Sequence, residues 1–140
     1  MAKKTKQTLQ ADLLPDFNMT EIECQKFILK CLVLENGSCP FEEWLRSITD
    51  MGTRQRIQNR LDRVERGNLG ECRSLGSEIS ELKLDFGPGY RIYFARTNKT
   101  LVVLLVGGSK DSQENDIKKA KKIWKDSKNE TQRYERDLQR

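Results

Sequence analysis

The 140-residue chain contains no histidine, only three prolines and 7% aromatic residues, and its longest apolar run is the six residues Leu101–Val106. Each shortage removes a class of function. Without histidine there is no Ser-His-Asp triad and no Cys-His catalysis, and the four cysteines (Cys24, Cys31, Cys39, Cys72) contain no Cys-x-x-Cys pair of the kind that zinc sites use. A catalytic cysteine would have to borrow a lysine or carboxylate as its base, and no local signature for one is present. Neither metal nor cofactor is expected. A bilayer span needs roughly 20 apolar residues, and the N-terminal MAKKTKQTLQADLLPDF has no continuous apolar core of the signal-peptide type. The expectation is a soluble cytoplasmic protein with no membrane partner.

Charge is plentiful and uneven. Hydrophobic residues make up 36% and charged residues 34%, a lean core under a charged surface, and the length suits one domain. Residues 117–140 carry nine Lys/Arg against four Asp/Glu, whereas residues 21–116 nearly balance at fourteen against fifteen. A basic segment of this kind tracks phosphate backbones, docks on acidic partners, or is simply a solvated helix face.

Residues 1–20 mix polar residues with a weak Leu13-Leu14 pair and read as a flexible arm. A strand is predicted over Lys26–Leu34, closed by the turn signal Glu35-Asn36-Gly37. Pro40 suits the first position of a helix whose apolar face is Phe41, Trp44, Leu45 and Ile48. A second helix, from about Thr53 to Arg66, buries Ile57, Leu61 and Val64 and ends at Gly67, a residue suited to a C-terminal cap. Its outer face is expected to carry Arg54, Arg56, Arg60, Arg63 and Arg66; Arg56, Arg60 and Arg63 share one side and serve either solubility or docking on RNA. The glycine-rich stretch 67–78 reads as a loop. A meander of strands follows at Ile79–Phe86, Tyr90–Thr97 and Thr100–Val106, turned by Gly87-Pro88-Gly89 and Asn98-Lys99. The unbroken apolar Leu101–Val106 should be the central strand. A last helix starts near Ser112 with Asp111 and Glu114 forming a capping-box-like start, and packs Ile117, Ala120 and Trp124. Beyond Trp124 the pattern dissolves, so 127–140 reads as a charged helical tail on a domain spanning 21–126. The architecture is α+β, with a small, mostly antiparallel sheet in the order β-α-α-β-β-β-α and helices packed on it, in one or two layers.

Chemistry-bearing residues cluster late in the chain. Lys83, Arg91 and Lys110 stand beside or within the tightest loops. Gly107-Gly108-Ser109-Lys110 suggests a phosphate-cradling nest at a helix start, although it lacks the spacing of a nucleotide triphosphate loop. Tyr93 shares the Arg91 side of its strand and either packs or stacks on a base.

The ordered set Pro40-Phe41-Glu42-Glu43-Trp44-Leu45, Arg60-Leu61-Asp62-Arg63, Gly67-Asn68-Leu69-Gly70, Glu81-Leu82-Lys83, Gly87 through Phe94, Leu104 through Lys110, Gln113 and Asp116-Ile117 resembles the RelE/ParE superfamily of toxins, in the branch of addiction module killer proteins. The resemblance covers about residues 24–126. It implies a RelE-like fold and a toxin of a type II toxin–antitoxin pair, held silent by an antitoxin, in all expectation a helix-turn-helix protein. RelE-side members cut messenger RNA on the translating ribosome without metal, which would make ribosome and mRNA the partners. By motif position Lys83, Arg91 and Lys110 would be catalytic. Arg56, Arg60, Arg63, Tyr93 and Gln113 would contact RNA. The chain departs from some relatives in having no Tyr near the start of the last helix, where Asp116 stands. Alternatives within the resemblance are a ParE-like toxin that binds gyrase and cuts nothing, and an inactive RNA-binding relative.

Overall fold

The computed structural model describes residues 26–97 and 100–138. The expected arm at 1–20, Cys24 and the Asn98-Lys99 turn lie outside the described residues. Two helices follow a short first strand, β1 (Ile28–Cys31), which is less than half the length the aliphatic run suggests. In α1 (Pro40–Ser47) the ring of Pro40 presets the first turn, and Glu42 and Glu43 sit where the helix dipole favours acids. In α2 (Met51–Glu65) Asp50 is the N-cap: its carboxylate accepts the Thr53 N–H at 2.8 Å and the Thr53 hydroxyl at 2.7 Å. Those two bonds hold the Asp50 carboxyl below its ordinary pKa. α2 ends as expected at Gly67, with φ +100°, where the Gly67 and Asn68 N–H groups return to the Val64 and Arg63 carbonyls.

The stretch expected as a loop contains a fourth meander strand. β2 (Cys72–Gly76) pairs antiparallel with β3 (Ile79–Leu84) through a two-residue turn, Ser77-Glu78, in which both residues are left-handed (φ 56° and 69°). It carries two fully polar pairs, Arg73–Glu81 and Ser74–Ser80, and a bulge on an exposed edge, so it shows no apolar alternation. The sheet is completed by β4 (Tyr90–Arg96) and β5 (Leu101–Gly108) in the order β1-β5-β4-β3-β2. Three pairings are antiparallel and β1 with β5 is parallel. All eight residues of β5 are buried, as the apolar run implies, but β4 occupies the middle of the sheet.

Helices cover both faces, giving three layers rather than one or two. Phe41 of α1 and Ile57, Leu61 and Val64 of α2 pack on Leu82, Leu84, Ile92, Phe94, Val102 and Leu104. On the opposite face Ala120 and Trp124 of α3 (Gln113–Leu138) meet Ile79, Tyr93, Ala95, Val103 and Leu105. α3 runs unbroken through residue 127, with Ser127 and Thr131 buried. Glu78 in the β2–β3 turn accepts from Trp124 Nε1 at 3.2 Å and pairs with Lys128 Nζ at 2.7 Å, which holds its carboxyl below the usual range. Among the described residues no helix is long and apolar enough to cross a membrane.

Candidate active-site cleft

β3 and β4 alternate across the sheet, so Glu81, Lys83, Arg91 and Tyr93 share the α3 face. Cross-strand pairing sets Lys83 opposite Arg91 and Glu81 opposite both Tyr93 and Arg73. α3 begins only at Gln113, leaving this end of the sheet open. The result is a cleft of about 400 Å³ lined by Glu71, Cys72, Arg73, Glu81, Lys83, Arg91 and Gln113.

Glu81 is its hub. The residue is 4% exposed. Its Oε1 accepts from Arg73 Nε at 2.8 Å, and its Oε2 accepts from Gln113 Nε2 at 2.7 Å and the Tyr93 hydroxyl at 3.1 Å. Burial alone would raise the pKa of this carboxyl; the bonds from Arg73, Gln113 and Tyr93 outweigh it and the pKa is lowered. Arg91 lies along the same carboxylate, with Nε 3.8 Å from Oε2, and its Nη1 donates to the Gly89 carbonyl at 2.6 Å. Arg91 is only 7% exposed, and among the described residues its buried Nε has no hydrogen-bond partner. An ordinary outward strand residue would look different. A Cβ on Gly89 (φ +77°) would come within 3.1 Å of Arg91 Nη1 and 3.6 Å of Lys110 Cβ, so this glycine lets the Arg91 guanidinium and the root of Lys110 close around one loop. Lys110 itself is exposed. Lys83 is half-exposed, 3.9 Å from Glu71 and 3.7 Å from Asp85.

A second, larger concavity of about 660 Å³ adjoins the first and shares Lys83 and Glu71 with it. Its wall is α2: Arg56, Asn59, Arg60, Arg63 and Arg66, facing Leu84, Asp85 and Phe86. Arg56 and Arg63 are exposed, and the Arg56 guanidinium lies 3.9 Å above the Phe86 ring.

Of the residues singled out in the sequence, Lys83, Arg91 and Gln113 therefore meet in one cleft, with Lys110 at the neighbouring loop, and Arg56 and Arg63 line the groove beside it. Two placements need correction. Arg60 is not on the outer face: at 8% exposure it turns under the following loop and donates to the Asn68 carbonyl at 3.2 Å and to the Leu69 carbonyl. A Cβ on Gly70 would collide with it, which accounts for that glycine. Burial, with Arg63 nearby, lowers its pKa. Tyr93 has no exposed ring to offer a base; it is fully buried, and burial together with Glu81 raises the pKa of its hydroxyl.

The nest reading of Gly107-Gly108 also fails. Both glycines end β5, and the space a Cβ would fill holds the Trp44 ring (2.2 Å) at Gly107 and the Asp116 carboxylate (1.8 Å) at Gly108. Asp116 accepts from Ser112 Oγ at 2.5 Å. A single 3-10 turn, Lys110–Ser112, precedes α3, and the reciprocal cap there is made by Ser109 and Ser112 rather than by Asp111 and Glu114. Among the described residues no three His, Cys, Asp or Glu side chains gather to hold a metal ion. Two cleft residues that the sequence does not single out as site candidates are Glu81 and Arg73. Glu81 reads as a wet-face residue of β3, and Arg73 lies in a stretch taken for loop.

Over 81 residues the chain is 41% identical to an uncharacterized protein of Haemophilus influenzae, a match covering 58% of this chain and 82% of the relative. The chain belongs to the same family as that protein. No family model matches the chain, and no solved structure matches it.

Proposed function

We propose that this protein is the toxin of a type II toxin–antitoxin pair, a RelE-like endoribonuclease that cuts messenger RNA on the ribosome in the cytoplasm and is silenced by a helix-turn-helix antitoxin. The observation that carries the reading is the meeting of Lys83, Arg91 and Gln113 in one cleft that opens through Lys83 onto an arginine-lined groove. A charged strand laid along Arg56 and Arg63 would be led to Arg91.

Arg91 is the cation for the scissile phosphate. Gly89 and Glu81 fix its guanidinium before substrate arrives, and its remaining N–H groups answer the charge that develops on the phosphorane oxygens. The ribose 2′-oxygen bonds to phosphorus and the bond to the 5′-oxygen breaks. The 2′-OH proton passes to Lys83 in its amine form, and Lys110 returns a proton to the leaving 5′-oxygen. The products are a 2′,3′-cyclic phosphate and a 5′-hydroxyl. Lys83 lies 3.9 Å from Glu71 and 3.7 Å from Asp85, two pairs that substrate has to displace. These pairs are exposed and worth about 0–1 kcal/mol each, a small cost for releasing Lys83 to substrate.

The test adds the purified protein to a reconstituted translation system and maps the message by primer extension, with chemical typing of the new ends. Cuts that depend on translation and leave cyclic-phosphate and 5′-hydroxyl ends support the reading. An intact message together with inhibited supercoiling by gyrase would replace it with the ParE-like alternative.

A further inference from the structure

Arg73 has no place in the scheme above, yet it lines the cleft and binds its hub, Glu81. It pairs across the β2–β3 ladder with Glu81, and the two differ sharply in burial: the Arg73 side chain is 62% exposed and that of Glu81 4%. The ion pair is made through Nε at 2.8 Å, and among the described residues neither Nη nitrogen has a protein acceptor. Hydrogen bonding to Glu81 raises the Arg73 pKa. On the other oxygen of the same carboxylate lies Arg91 Nε. One buried carboxylate thus stands between two guanidiniums on strands β2 and β4, and both of these line the cleft. A surface arginine tethered by its Nε alone keeps its fork for a ligand, and planar two-pronged donation matches a phosphate. The Nε atoms of Arg73 and Arg91 lie 2.8 and 3.8 Å from the two oxygens of this one carboxylate, which brings the guanidiniums close enough for consecutive backbone phosphates of a single strand to meet one each.

We propose that Arg73 is a second phosphate-binding residue of the cleft, holding the backbone phosphate next to the scissile one, and that Glu81 is the positioning residue that sets its distance from Arg91. The proposal rests on the ribonuclease reading and deepens it.

The experiment is a cycle between protein and message, run as single-turnover cleavage on stalled ribosomes with toxin in excess. Messages carry a neutral methylphosphonate at one or the other neighbour of the cut, the scissile phosphate being left intact. Wild-type protein should lose about tenfold in rate on one of the two modified messages. Arg73→Ala should lose a similar factor on the unmodified message and almost nothing more on that modified one, because the contact is already gone. Arg73→Gln, which keeps an N–H donor for Glu81, should behave like Arg73→Ala, and Arg73→Lys should recover part of the rate and part of the sensitivity. Losses that multiply at both neighbours would overturn the proposal and leave Arg73 as a mere counter-charge for Glu81, with the ribonuclease reading intact. Absence of cleavage by the wild-type protein on any message would overturn both.

Discussion

The cleft around Glu81 and the groove along α2 share Lys83 and Glu71, yet they hold their cations in different ways. In the cleft, Arg91 is buried, tied to the Gly89 carbonyl and set against a carboxylate that also binds Arg73, Gln113 and Tyr93. In the groove, Arg63 stands exposed, and Arg56 rests on an aromatic ring with no hydrogen bond to fix it among the described residues. Cations held in advance suit charge that appears only in a transition state, since nothing has to reorganise when it appears. Mobile cations suit a phosphate backbone of any sequence, bound by counterion release. Arg60 crosses the comparison: it lines the groove but is locked like a cleft residue, so its work is to hold the Asn68–Gly70 loop.

The sharpest way to break this contrast is Glu81→Ala. It leaves Arg91 buried without its counter-charge and strips partners from Gln113 and Tyr93, so urea unfolding should show a loss of about 3–5 kcal/mol. A loss under 1 kcal/mol would mean that the carboxylate does not organise the cleft. Arg60→Ala should cost about 1–3 kcal/mol, because two loop carbonyls lose their donor; Gly70→Ala should show a loss of the same kind, with a Cβ 2.0 Å from Arg60 Nη2 at φ +61°. Acid sharpens the comparison. The Glu81 pKa is lowered on folding from an ordinary 4.5, so the stability it contributes is complete above pH 4.5 and is lost as pH falls through the folded value. Denaturation followed from pH 6 downward should therefore be less steep in Glu81→Gln than in the wild type. The smallest effect belongs to the groove: Arg63→Ala should stay within about 0.5 kcal/mol in stability. It should nonetheless make the salt dependence of binding to ribosome-bound message shallower, as loss of one phosphate contact requires.

Much of the fold could be read from the residues alone, for reasons that vary by element. Pro40, the Ile57/Leu61/Val64 stripe and Gly67 state α1 and α2 almost to their ends, because caps and a 3.6-residue period are local signals. β5 declares itself by eight residues without a polar side chain. β2 does not, because an edge strand with Arg73 and Ser74 exposed carries no alternation, and its turn uses Ser77-Glu78 instead of glycine at the left-handed positions. Motif position singles out Lys83, Arg91 and Gln113, and the fold brings these three into one cleft. Glu81 is not singled out: its burial depends on Gln113, 32 residues away, and on a strand the composition hides. Gly107 and Gly108 misled in the other direction, since glycines that make room for Trp44 and Asp116 look in sequence like glycines that make room for a phosphate.

In the proposed function the fixed guanidinium of Arg91 acts at the reacting phosphate while the α2 arginines only guide the strand. Single-turnover cleavage of a message on stalled ribosomes, with the protein at saturation, separates the two. Arg91→Ala removes the fixed cation and should slow the chemical step by about 10²–10³-fold; Arg91→Lys keeps the charge but loses the fork, and should recover only part of that rate. Arg63→Ala should leave that step unchanged once saturated and raise only the concentration needed to reach it. An Arg91→Lys protein that cuts at the wild-type rate, or an Arg63→Ala protein that cuts slowly however much is added, would contradict the account.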